Sequence, residues 1–376
     1  MGTISANRME PEMTNYANKT TRNTALAAGL CSAVVVALLS YNAAQGAPGS
    51  SGYKLMHEMP MPQLSGWDYL SVDPEARRLY IASNVGAIVF DIDAEKIVGN
   101  VPDPPLKSGV GLVHGVAVAR EFNRGFLSVE VPPSVITFDL KKLTQLGVTP
   151  TDAGTDAVLY DPASKHVFTF NGKKEGVHDA SVIDAATGKG AGTIQLPGSP
   201  EFPVADGAGH VYVNIEDKSA LVQIDSKTLK VAATWPLAPC EEPSGLAIDI
   251  AHHRLFAGCH NKLMAMVDGD TGKVVATVPI GNGVDANAFD PGTGYAFSSN
   301  GEGTLTVAHE DAPDKLSLVE SVKTSPGART MAVDFKTHRV FLMAGNLHRP
   351  AKASPENPHR YPELDPGTAK LLILGR

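Results

Sequence analysis

Aromatic side chains are scarce in this chain of 376 residues: 2 Trp, 9 Tyr and 12 Phe make up 6% of it. Cysteine is limited to three, so at most one intramolecular pair can form. Positive charge is in deficit, with 32 Lys and Arg against 40 Asp and Glu and a formal net charge of −8. That balance excludes a nucleic-acid binder driven by electrostatics. No apolar run reaches the roughly 20 residues of a membrane-spanning helix. After residue 47 no segment carries an apolar stripe of helical period, which excludes a helical bundle. Catalytic signatures are missing too: there is no Gly-x-Ser-x-Gly, no His-Glu-x-x-His and no Cys-x-x-Cys-His. What the chain has is 36 Gly, 27 Pro and 43% hydrophobic residues. Together they mean many turns around a large core and exclude wholesale disorder.

The first segment reads as an address. Lys19 and Arg22 precede an apolar run at residues 25–39, and small residues follow it at Ala43, Ala44, Gly46 and Ala47. A basic region, a short apolar stretch and a small-residue exit predict a signal peptide over residues 1–47. Cys31 lies inside its apolar stretch. Removal takes away Arg8, Lys19 and Arg22 but only Glu10 and Glu12, so the exported part carries a net charge of −9. The expected compartment is periplasmic or extracellular, with no stable membrane anchor after cleavage. In such an oxidising place the two remaining cysteines, Cys240 and Cys259, tend to pair.

Repeats dominate the rest. Short apolar strands end on Asp73 (YLSVDP), Asp161 (AVLYDP), Asp206 (FPVADG), Asp249 (GLAIDI), Asp290 (ANAFDP) and Asp334 (TMAVDF), with Ala119 (GVAVAR) filling the one double-length gap. A second strand follows each mark: RLYIAS, GFLSVE, HVFTF, HVYVN, RLFAG, YAFSS and RVFLMA. The Asp-x-x-Thr-Gly turns at 184–188 and 268–272 join a third strand to a fourth. Seven units of four strands predict an all-β, seven-bladed β-propeller over residues 48–376. The last unit lacks a strand, and residues 52–61 are available to supply it as an N-terminal outer strand, closing the ring.

Candidate site residues come from one register. Five residues before each mark stand Asp68, His114, Asp156, Glu201, Ser244, Asp285 and Arg329. They start the innermost strands and should ring one mouth of the central channel. The residues just before the marks, Val72, Val118, Tyr160, Ala205, Ile248, Phe289 and Val333, are apolar, so charge is confined to one level. Acidic groups converging with His114 suit a polar ligand or cation; the alternative is strand capping and pairing across blades, such as Arg329 with Asp68 or Asp285. Glu241 and Glu242 add to the same surface. A second ring, Asn84, Asn171, Asn214, Asn261, Asn300 and Asn346 with Glu130 in the second blade, reads as turn chemistry.

Cys240 and Cys259 flank a predicted hairpin and come within reach of one another, which favours a disulfide; a metal site with His260 and Glu241 is the rival reading. The Pro-rich stretch 345–367 joins second and third strands on the mouth side. It is either a lid bringing His348, Arg349, His359 and Arg360 over the acidic ring or a loose surface loop.

Strands such as LYIASN and VYVNIED, followed by TGKVVATVPIG and an AFDP-type strand, resemble the YncE-like, YVTN-repeat β-propellers of bacteria. The resemblance covers residues 52–376 and implies a secreted or periplasmic propeller, mostly without assigned chemistry. Looser likenesses run to haem, quinoprotein and lactonase-like propellers. Single-stranded DNA binding is not carried over, since the exported part is acidic and Trp67 and Trp235 are its only tryptophans. The expected function is a monomeric exported module. It binds a small ligand, a cation or a partner protein at the mouth, with no cofactor required by the sequence beyond a possible divalent cation. The alternative is a metal- or quinone-dependent hydrolase, lactonase or oxidoreductase using the same mouth.

Overall fold

Five of the seven innermost strands end on an aspartate, which builds the turn that follows. In the computed structural model, which describes residues 49–102, 113–172, 176–352 and 363–376, Asp161 accepts from the backbone of Ala163 and Ser164 at 3.2 and 3.0 Å. Asp249 does the same for Ala251, and Asp290 for Gly292, each at 3.0 Å. The chain then reverses through a left-handed residue four positions after the mark: Arg77, Asn123, Lys165, His253, Gly294 and His338 all have φ between 48 and 70°. An Asx turn followed by a left-handed residue fixes a tight hairpin.

Seven four-stranded antiparallel sheets result. Their innermost strands are Trp67–Asp73, Val113–Ala119, Thr155–Asp161, Pro200–Ala205, Pro243–Asp249, Val284–Asp290 and Met331–Asp334. These touch one another around the ring and enclose the channel. The outer strands are mostly exposed, as in Lys189–Gln195 and Gln145–Pro150. The Asp-x-x-Thr-Gly turns form as expected: Thr187 donates to Asp184 through both N and Oγ1 at 2.7 Å, and Thr271 to Asp268 at 2.9 and 2.8 Å. Gly272 is obligatory there, with φ 71° and the Trp235 ring where a Cβ would stand.

The last sheet takes Lys54–Pro60 as its outer strand, paired antiparallel with Lys370–Gly375. The ring is therefore closed by chain from both ends, and the last blade has four strands like the others. Between blades the core is built on the second strands, whose residues are buried almost end to end. The scarce aromatics are distributed with the repeat: Tyr80, Phe126, Phe168, Tyr212, Phe256, Phe297 and Phe341 occupy the third position of the seven second strands, each 4% exposed or less. One large ring per blade fills the wedge between splayed sheets, where a buried aromatic contributes a few kcal/mol.

Cys240 and Cys259 form a disulfide with a Cα separation of 5.5 Å, which removes the rival metal reading. Predicted segment 1–47 lies outside the described residues, as do 353–362 with His359 and Arg360. The base of the 345–367 stretch is a short ribbon, Leu347–His348 paired with Glu363–Leu364. His348 is tied there to Asp365 at 2.7 Å rather than reaching over the mouth, while Arg349 and Arg329 border one groove of about 1340 Å³.

Candidate functional site

In six blades the innermost strand carries a one-residue bulge at its start, for example between Trp67 and Leu70 or between Pro243 and Leu246. Asp68, His114, Asp156, Glu201, Ser244 and Asp285 all fall in that bulge, and Arg329 lies just ahead of the seventh innermost strand. A bulge breaks the alternation of side chains and re-aims the extra residue. Here it brings the ring together at one end of the channel.

His114 is the centre of this ring. Its Nδ1 lies 2.5 Å from Asp68 Oδ2 and 3.3 Å from Asp156 Oδ1, and its Nε2 lies 3.7 Å from Glu130 Oε2. Burial alone would strip the imidazole of its proton, but the hydrogen bond to Asp68 and the nearby carboxylates of Glu130 and Asp156 override burial and push it up to about 11. The ring is thus an imidazolium bridging three blades. Burial raises Asp156 above the usual carboxylate range, against the pull of His114 and reinforced by Asp68 and Asp285. Asp68, His114 and Asp156 offer donor atoms within 4.8 Å of one another, a spacing that also suits a metal ion.

On the far side Arg329 Nε meets Asp285 Oδ2 at 3.0 Å, one of the two cross-blade pairings expected for it, and Ser244 donates to Asp285 at 3.4 Å. Burial keeps Asp285 raised despite Arg329. Glu201 differs from the rest: among the described residues it forms neither ion pair nor hydrogen bond. Burial, with the charges of Asp156, Glu216 and Asp285, pushes it up to about 9. Glu242 is not part of the ring. It sits on the rim with φ 48°, its carboxylate 3.5 Å from His260 Nδ1, and Glu216 lies 3.6 Å from the same nitrogen.

Tyr69, beside Asp68, is buried and stacks edge-on against Phe202 with ring centroids 5.1 Å apart. The two come from the first and fourth blades, so the pair crosses the channel beneath the acidic ring. Below it the channel continues in two lobes of about 490 and 580 Å³ that share Leu70, Val72 and Phe202, the larger one mainly apolar and the smaller also lined by Asp73, Glu75, Arg120 and Glu121. Six of the seven apolar residues that precede the marks line these lobes, all but Ala205. They face a channel rather than a closed core.

Sequence reasoning missed Tyr69 and Glu216, and it took Glu130 for turn chemistry. The signal was present: Glu130 and Glu216 are the residues directly after the second strands Arg124–Val129 and His210–Ile215. The asparagine ring is structural, but not through left-handed backbone, since none of its members has positive φ. Asn214 donates to the carbonyls of Ser244 and Gly245, and Asn261 joins the Pro239 carbonyl to the Glu241 amide.

No protein-family model matches the chain. No curated protein matches it either. Solved structures match in number, 1778 chains in all, so the architecture is widespread and carries no activity by itself. One of them, the structure of U3-55K, aligns with 88% of this chain and 100% of its own at a TM-score of 0.69 and 9% identity. At that identity the likeness concerns the fold: the chain is a seven-bladed β-propeller. Among the described residues no helix is long and apolar enough to cross a membrane.

Proposed function

We propose that this protein is an exported propeller of the YncE-like kind that binds a small cationic ligand at its acidic mouth and does not turn it over. The observation that carries this reading is Glu201, a carboxylate with neither ion pair nor hydrogen bond among the described residues, pushed up to about 9 by burial and by the charges of Asp156, Glu216 and Asp285. A ligand cation would relieve that repulsion, and the Tyr69–Phe202 pair gives it a floor. In the ring itself the two basic side chains, His114 and Arg329, are both already engaged by carboxylates, which selects against anions. The leader-like segment and the disulfide support export, since disulfides persist in oxidising compartments.

Calorimetry with divalent metal ions and small alkylammonium compounds, on wild type and on the triple variant Asp156→Asn, Glu201→Gln, Asp285→Asn, tests the reading. Affinity should fall at least tenfold in the variant. Equal binding by both proteins would make the ring purely structural. The donor set of Asp68, His114 and Asp156 favours a second reading, a metal-dependent enzyme. Elemental analysis of natively purified protein separates the two: stoichiometric metal together with turnover supports the enzyme.

A further inference from the structure

At the end of the channel opposite the mouth, the aspartates that end the innermost strands are buried and need counter-charges. At three blade junctions a basic side chain of the following blade reaches the aspartate: Arg120 reaches Asp73, His338 reaches Asp290, and Arg77 reaches Asp334. Arg77 and His338 hold the left-handed position four residues after their own marks. In the sixth blade that position is Gly294, which has no side chain to offer Asp249 of the fifth.

What faces Asp249 is a second acid. Glu310, in the third strand Thr304–Ala312 of the sixth blade, has a side chain only 4% exposed, as has Asp249. Both carboxylate oxygens of Glu310 lack a hydrogen-bond donor. A buried carboxylate with no hydrogen-bond donor is costly. His252 completes the group, its Nδ1 at 2.5 Å from Asp249 Oδ2 and 3.6 Å from Glu310 Oε1. The nearby bases are committed elsewhere: Arg254 to Asp268 at 2.9 Å and to the Pro313 carbonyl, His309 to Asp311 at 2.8 Å. His252 is half exposed and opens the cluster to solvent.

We propose that Asp249, His252 and Glu310 form a divalent-cation site that clamps the fifth blade to the sixth. The ion supplies the positive charge that Arg120 and Arg77 supply at two other junctions. The donor atoms of all three residues lie within 4.8 Å of one another, as ligands of a single ion must. One imidazole nitrogen with two carboxylates suits a first-row transition ion such as zinc, cobalt or manganese. Calcium and magnesium prefer an all-oxygen shell.

The test is zinc titration of chelator-stripped protein, read by calorimetry and by thermal unfolding. Zinc should raise the melting temperature of wild type. It should still do so in the mouth variant Asp156→Asn, Glu201→Gln, Asp285→Asn, which leaves this cluster intact. Glu310→Gln and His252→Ala should each weaken zinc binding in that background at least tenfold. Because Glu310→Gln removes a buried charge that faces another, its melting temperature in chelator should be no lower than that of wild type, which separates a lost ligand from a lost fold. Zinc affinity unchanged by Glu310→Gln, or no stabilisation by zinc, cobalt or manganese, would overturn the site.

Discussion

The two ends of the channel use the same residue types to opposite effect. On the turn side, Asp334 is fully buried and gripped by Arg77, whose two terminal nitrogens each lie 2.7 Å from a carboxylate oxygen. Burial works against the charge, yet the bonds from Arg77 and Thr337 hold the carboxyl down to about 2. At the mouth, Glu201 is less buried and has no such partner, and it is pushed up to about 9. Burial alone does not decide whether an acid in this fold stays charged. Nor does a base in the adjacent blade by itself, since Asp285 stays raised beside Arg329; at Asp334 the two parallel bonds from Arg77 are what outweigh desolvation.

The largest effect comes from breaking the turn-side arrangement. Arg77→Ala leaves Asp334 buried without its cation across the junction where the ring closes, and should cost about 3–5 kcal/mol in urea unfolding. Arg77→Lys should recover only part of it, since a single ammonium cannot reproduce two parallel bonds. Next in size is the disulfide, which pins the fifth blade beside the mouth. Cys240→Ala with Cys259→Ala should cost about 3 kcal/mol in the chain-entropy description of a closed loop of this length. Ligand affinity at the ring should change little, since neither sulfur touches it.

The smallest effect sharpens the comparison from the mouth side. Glu201 has a folded value above its unfolded one of roughly 4.3, so the folded state holds a proton that the unfolded state has lost. Stability therefore falls as pH rises from roughly 4.3 towards about 9. His114 acts in the same direction: its contribution is complete below roughly 6.5 and is lost as pH rises through about 11. Glu201→Gln should thus leave stability unchanged near pH 4 and raise it by about 1–2 kcal/mol at pH 8. Urea midpoints at the two pH values check this; a variant less stable than wild type at pH 8 would mean that Glu201 has a partner after all.

Much of the fold was legible because its determinants are local. The Asp that ends YLSVDP or ANAFDP accepts hydrogen bonds from residues two or three positions on. The turn it makes is therefore written in adjacent letters, and the repeat spacing follows. The missing strand of the last repeat pointed to residues 52–61, and Lys54–Pro60 fills that place. The mouth ring was legible as a register, but its pairings were not. Nothing near Glu130 in the chain indicates His114, and nothing near Phe202 indicates Tyr69. The same holds on the turn side, where Glu310 stands 61 residues from Asp249.

By itself the sequence determined how many blades there are, how the ring is closed, and which residues stand at the start of each innermost strand. Period-two alternation and turn chemistry act over a few residues and repeat without reference to neighbours. Only the tertiary structure decided which acids are neutralised and which are left facing one another. That depends on which side chain the next blade, some 40 residues along, delivers within a few ångströms, and Coulomb interactions follow distance in space rather than order in the chain.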